Sequence, residues 1–291
     1  MRYSLTHKTT YRYSSPVAQS HHLMHLTPRQ LDRQRIIHHA LSVKPQPAAR
    51  IERQDYFGNS VLLVAIETAH NDLVIDMRST VEVQPAHTID VAACRPWERV
   101  ADAIAARPQA VEIGVAPFLP PTRLTTPTHD IVDYARGSFP QGTPVLAGAL
   151  DLTRRINEDF TFDATATDVS TPLVEMFAKR AGVCQDFSHL FLACVRALHI
   201  PARYVSGYIL THPPPGRPRL AGADASHAWV SVWTPEFGWV DFDPTNNLMP
   251  GEEHVVAAYG RDFDDVSPIS GILLGGNEHT VTVAVDMVPL G

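Results

Sequence analysis

The chain has 291 residues, 44% of them hydrophobic, with 31 acidic against 24 basic side chains and a net charge of −7 with neutral histidines. That is enough apolar material for one large domain or two ordinary ones, and with no long basic run it lacks the electrostatic footprint of a nucleic-acid binder. The first residues lack the apolar core of a secretory signal, and no stretch approaches the roughly 20 apolar residues of a membrane span, so a cytoplasmic protein with no membrane partner is expected.

Residues 1–90 read as an antiparallel β unit, sandwich-like in character. Tyr3, Leu5, His7, Thr9, Tyr11 and Tyr13 alternate with polar neighbours, and Leu73, Ile75, Met77, Val81 and Val83 do the same, the period-two signature of a half-buried strand. Residues 36–43 and 61–67 are further β-branched runs, and Asp55-Tyr56-Phe57-Gly58-Asn59 supplies a turn between them. The texture then changes to candidate helices at residues 95–106, 129–136, 144–159 and 171–180, separated by a proline-rich segment at 116–127 that reads as a linker or wrapping loop. The helix at 171–180 starts after Ser170, and Gly182 just past it suits a C-cap.

The next helix carries chemistry. Phe187, Leu190, Phe191, Cys194, Val195 and Leu198 recur at steps of three and four, an amphipathic stripe that stops before Ile200-Pro201. Cys184 opens this helix, where unpaired N–H groups and the positive dipole end favour an anionic sulfur and could hold an oxyanion. The three cysteines, Cys94, Cys184 and Cys194, match neither a disulfide framework nor a CxxC metal site. Cys194 lies on the apolar stripe and Cys94 has no chemistry near it, so a packing role is expected for both.

Two strand-like stretches follow, residues 226–233 and 238–243, separated by a turn at 234–237. Antiparallel pairing across that turn sets His227 opposite residue 243 or 244, making it a neighbour of Asp243. A base that takes the thiol proton and a carboxylate that orients the imidazole are what a cysteine nucleophile needs. Asp241, two residues earlier on the same side, rivals Asp243.

The segments Gly182-Val183-Cys184-Gln185-Asp186-Phe187-Ser188-His189, Ile200-Pro201-Ala202-Arg203-Tyr204-Val205-Ser206-Gly207-Tyr208, His227-Ala228-Trp229 and Gly238-Trp239-Val240-Asp241-Phe242-Asp243-Pro244-Thr245 resemble the core of the bacterial transglutaminase-like superfamily. Thr9-Thr10-Tyr11-Arg12-Tyr13, Leu26-Thr27-Pro28-Arg29 and the Asp55 turn resemble the β region preceding that core in one subgroup, whose members are described as candidate cysteine proteases. Residues 260–268 and the last strand, 280–288, resemble that subgroup too. The resemblance implies an α+β fold: an N-terminal β domain at residues 1–90, then a papain-like core at 91–291 that includes the C-terminal strand, with the cysteine helix packed on an antiparallel sheet. It implies Cys184 as nucleophile, His227 as base and later acid, and Asp243, favoured over Asp241 by the Asp-Pro-Thr match, as orienting carboxylate. No cofactor is implied.

Gln185, Tyr208 and Trp229 are candidates for substrate contact, although strand aromatics are commonly core. Asp186 reads as a first-turn acid and His189 as a packing residue. The doublets His21-His22 and His38-His39 point to opposite strand faces and support no metal site, and Asp262, Asp264 and Asp265 read as a solvated loop. The expected chemistry is amide acyl transfer through a thioester on a peptide or protein substrate, with hydrolysis expected ahead of transfer to an amine. Arylamine acetyl transfer and a non-catalytic peptide-binding module are the competing readings.

Overall fold

The computed structural model describes residues 1–106, 114–212 and 226–290. The alternation at the start of the chain builds β1 (Arg2–Met24), which buries Tyr3, Leu5, His7, Thr9 and Tyr13 and exposes Lys8 and Arg12. It is followed by β2 (Gln34–Lys44), β3 (Ala49–Gln54), β4 (Ser60–Ile66) and β5 (His70–Val83). The helices α1 (Trp97–Ala106), α2 (His129–Ser138) and α3 (Val145–Asp159) come next, then β6 (Thr161–Phe162), α4 (Leu173–Lys179), β7 (Ala181–Gly182) and α5 (Cys184–Ala197). Strands β8 (Ala202–Ile209), β9 (Ser226–Thr234), β10 (Gly238–Phe242) and β11 (His254–Gly260) precede the short α6 (Phe263–Val266), and β12 (Ile269–Gly275) and β13 (His279–Leu290) end the described chain.

β1 is long enough to take a partner on both sides along each half: β5 and β13 along the first, β4 and β12 along the second. β2 and β3 complete a seven-stranded antiparallel sheet by flanking β5 and β4. The C-terminal strand therefore belongs to the N-terminal sheet, a correction to its expected place in the core. Its partners lie more than 250 positions away in the sequence, and local pattern carries no information about which edge a strand joins. The proline-rich segment packs rather than dangles, with buried Phe118 against the rings of Phe57 and Trp239.

The second sheet has the order β10-β9-β8-β11. On one face, Ala202, Tyr204, Ala228, Val230, Val232 and Phe242 pack with Phe187, Leu190, Phe191, Cys194 and Val195 of α5 in one core cluster. Tyr208, Leu210, Val255 and Ala257 join Tyr3, Leu5, Met77 and Val285 of the first sheet in another. The second layer of the N-terminal sandwich is thus the β10-β9-β8-β11 sheet itself. No helix among the described residues is long and apolar enough to cross a membrane.

β11 is an edge strand, and side chains of the N-terminal unit occupy its open side. Gln34 accepts from the Val256 N–H at 2.7 Å and donates to its carbonyl at 2.8 Å. Asn59 does the same for Tyr259, at 2.8 Å each way. Two side-chain amides, with the Arg29 N–H on the Val256 carbonyl at 3.0 Å, thus stand in for a fifth strand along this edge. The Asp55 turn exists to present Asn59: Asp55 accepts from the N–H groups of Phe57 and Asn59 at 2.8 Å, and Gly58 takes the positive φ of 73° that the turn needs. Replacing Asn59 by alanine strands a buried N–H and a buried carbonyl, so a loss of about 1–3 kcal/mol is expected, measurable as a lowered urea midpoint with an unchanged slope.

Candidate active site

The chain reaches Cys184 through a constrained approach. α4 ends not on glycine but on Arg180, which adopts the left-handed conformation at φ 55°. The non-glycine cap is held by its guanidinium, which lies over the rings of Phe177 at 4.5 Å and Phe160 at 4.8 Å, contacts that offset the steric cost. β7 then pairs in parallel with β6, and at Gly182 a Cβ would sit 2.6 Å from Asp186 Oδ2. Asp186 is more than a solvated first-turn acid. It is buried, and it accepts from the Val183 N–H at 2.8 Å and from the Thr167 hydroxyl at 2.6 Å, tying down the helix start. Burial pushes its carboxyl up, against those two hydrogen bonds.

Cys184 is half-buried at the first position of α5, whereas Cys94 and Cys194 are buried. Desolvation drives the Cys194 thiol upward, and Cys94 moves in the same direction for the same reason. The N–H groups of the first helical turn have no intrahelical acceptor and are free to donate to a ligand at the helix start.

The β9–β10 hairpin closes through Pro235, Glu236 and Phe237, with Gly238 at φ 66°, the three-residue loop with glycine in the left-handed position. Val230 pairs with Phe242 and Ser231 with Asp241. Continued by one residue, this register sets Asp243 across from Trp229 and diagonal to His227, so the expected pairing of His227 with residue 243 or 244 was off. The contact survives because diagonal neighbours share a face: His227 Nε2 lies 2.7 Å from Asp243 Oδ2. The Cys184 thiol is close enough to His227 to act on its imidazole. With Nε2 taken by the carboxylate, Nδ1 is the nitrogen left for the thiol.

Asp243 is fully buried, and both its oxygens are engaged. Oδ1 accepts from the N–H groups of Thr245 at 2.9 Å and Asn246 at 3.1 Å, in the turn after β10. Oδ2 takes His227, the Asn246 amide at 2.8 Å and His254 Nε2 at 3.2 Å. Burial alone would raise this carboxyl, but the hydrogen bonds from His227, His254 and Asn246 outweigh it and hold the group well below the usual carboxylate range. At His227 burial disfavours the cation, yet the bonds to Asp243 and Cys184 and their charges prevail, raising it to about 10. The site thus favours an imidazolium at His227 beside the Asp243 carboxylate, the charge state of a general acid held ready.

The other sequence candidates separate. Asp241 accepts from the Trp229 indole N–H at 3.1 Å instead of reaching His227. Trp229 is fully buried and stacks on His227 at 6.0 Å with 27° between planes, so it shields the imidazole and is not an exposed substrate contact. Tyr208, expected as a substrate contact, points instead into the interface between the sheets, its hydroxyl 3.1 Å from His7 Nδ1. Gln185 is half-buried beside Cys184. His189 packs on Tyr204 and accepts the Phe263 N–H at 3.2 Å, with burial lowering it to about 3. Asp262 is buried and accepts the Asp264 N–H, while Asp264 and Asp265 pair with Arg123 and Arg261, so the acidic loop is already engaged.

Sequence reasoning missed His254 and Asn246. Asn246 follows the Asp-Pro-Thr motif closely enough to have been found as a turn residue, but nothing local marks His254. Among the described residues, His227, Asp243 and His254 form a group close enough for a metal, with ligand atoms within 4.8 Å of one another. An ion there would displace the protons that join both imidazoles to Asp243, so it would compete with the hydrogen-bond network.

A half-buried cysteine at a helix N-terminus, a histidine on an adjoining strand and a buried carboxylate behind it define a papain-like cysteine-nucleophile class. The model of the bacterial transglutaminase-like N-terminal region matches residues 3–82, and that of the transglutaminase-like superfamily matches residues 133–244. The chain belongs to the transglutaminase-like superfamily, in its bacterial branch with that N-terminal region. It is 40% identical to an uncharacterized protein of Mycobacterium tuberculosis, covering 99% of this chain and 93% of the relative. It is 30% identical over 154 residues to a protein-glutamine gamma-glutamyltransferase of Pseudomonas aeruginosa, covering 49% of this chain and 23% of that protein. The structure of a candidate cysteine protease from Cytophaga hutchinsonii is similar throughout, with a TM-score of 0.76 at 23% identity, covering 100% of this chain and 91% of that one. This last likeness bears on the fold.

Proposed function

We propose that the protein cleaves amide bonds of peptides or proteins through a thioester on Cys184. The observation that carries this reading is the convergence of half-buried Cys184 at the helix start with His227, which feels the thiol and whose Nε2 lies 2.7 Å from Oδ2 of the buried Asp243. In the first half-reaction the sulfur attacks the amide carbonyl, the oxyanion faces the N–H groups of the helix start, and His227 gives its proton to the departing amine. In the second, His227 takes a proton from water as it attacks the thioester, releasing the acid and freeing the thiolate. Cys184 is half-buried rather than sealed from solvent, and a transferase must exclude water from its thioester, which favours hydrolysis.

Transfer to an amine is the second reading, and the name of the Pseudomonas aeruginosa relative favours it. The two are separated by incubating the protein with a peptide library, with and without a primary amine, and reading products by mass. Hydrolysed peptides are expected in both arms. Amine adducts replacing them would move the assignment to a transferase, and no product with Cys184 intact would leave a peptide-binding module.

A further inference from the structure

We propose that His254 is a positioning residue of this site: its imidazole holds the Asp243 carboxylate in the orientation from which Asp243 holds His227. The inference deepens the thioester reading and rests on it.

His254 Nε2 meets the same oxygen, Asp243 Oδ2, that His227 meets, at 3.2 Å against 2.7 Å. A carboxylate only accepts, so the His254 proton sits on Nε2. Its Nδ1 is buried without a partner among the described residues. An orphaned ring nitrogen is a cost that a residue kept for packing alone would not carry, since an apolar side chain would fill the same space without it. The polar contact with Asp243 is what an imidazole adds at this position.

The placement is built by several elements. β11 is separated from β9 by β8, and Gly207 of β8 pairs with His227 on one side and Val256 on the other. A Cβ at Gly207 would lie 2.6 Å from the Trp229 ring and 2.2 Å from the Val255 carbonyl oxygen. The missing side chain lets the indole cross β8 and meet the His254 ring edge-on, 5.2 Å between centroids at 80°. Gln34 and Asn59 latch β11 from the other side. The N-terminal sheet thereby fixes the strand that fixes Asp243, which gives that sheet a part in catalysis at a distance from the thiol.

The test compares the full-length chain carrying His254→Leu, His254→Gln, Asp243→Asn and the Leu–Asn double change. It reads kcat and KM on a cleaved peptide, and the pH dependence of Cys184 alkylation by iodoacetamide. His254→Leu is expected to lower kcat about 10- to 100-fold, the range for partners that orient a reactive group, with KM within about twofold. It is also expected to move the acid limb of alkylation to higher pH, because a less firmly held Asp243 stabilises the imidazolium less. His254→Gln, which keeps a donor, is expected to recover most of both. In the Asp243→Asn background His254→Leu is expected to add nothing, since its effect passes through that carboxylate. An additive loss, or an unmoved limb in a folded variant, overturns the proposal, and His254→Met serves the same comparison if His254→Leu does not fold. Wild-type protein whose Cys184 is not alkylated ahead of Cys94 and Cys194 removes the thioester reading, whereas preferential alkylation with an unmoved limb removes the His254 role alone.

Discussion

Replacing Cys184 by alanine is expected to abolish peptide turnover, by at least about 10⁴-fold in kcat, while leaving the protein folded. In this reading the sulfur forms the acyl intermediate, and without it no thioester can be made although His227 keeps its bond to Asp243. The structural cost is small: the side chain is half-buried at a helix terminus, so a thermal midpoint within a few degrees of wild type is expected. Mass spectrometry after brief iodoacetamide treatment of the native protein is expected to find Cys184 labelled first, since Cys94 and Cys194 are buried thiols pushed upward by desolvation. Full activity in the alanine variant, or faster labelling of either buried cysteine, would remove Cys184 from the mechanism.

Asp243→Asn is expected to cost about 10²- to 10⁴-fold in kcat, since an amide can favour the wrong imidazole tautomer. Asp243→Ala is expected to cost stability too, about 3–5 kcal/mol, because donors from His227, His254, Thr245 and Asn246 would be left around a buried hole. The pH dependence follows from the two shifts. Asp243 is held below its unfolded value, so its contribution to stability is present above about pH 4 and is lost as pH falls through the depressed folded value. His227 is raised to about 10, so its contribution is complete below about 6.5 and is lost as pH rises through about 10. Between about pH 4 and 6.5 both are in force. Urea unfolding across pH is expected to show the Asp243→Asn protein losing the acid-side dependence and showing a smaller alkaline decline that ends at lower pH than in wild type. Parallel curves for the two proteins would mean that the pair does not govern stability in this range.

The local elements of the core were legible because they are written in short-range periodicity and in turn chemistry. The apolar stripe from Phe187 to Leu198 fixed a helix, and Cys184 falls at its start by counting. Gly238 after Pro235, Glu236 and Phe237 closed a hairpin that brought His227 and Asp243 to one face. The error in that hairpin, a register misjudged across its turn, was harmless because a carboxylate reaches a diagonal neighbour. The expected contact at Tyr208 failed for a different reason. Alternation says that a strand residue has a face, but it cannot say which layer covers that face, and here the layer is the N-terminal sheet.

By itself the sequence determined the α+β class, the helix that carries Cys184 and the strand pair that carries His227 and leads into Asp243, all interactions within about 20 residues. Tertiary structure alone decided that β12 and β13 join β1, that Gln34 and Asn59 close the edge of β11, and that His254 arrives at Asp243 from a strand beyond Gly207. These contacts link positions with no common periodicity, and their energies come from burial and from partners that exist only once the two sheets have closed on each other.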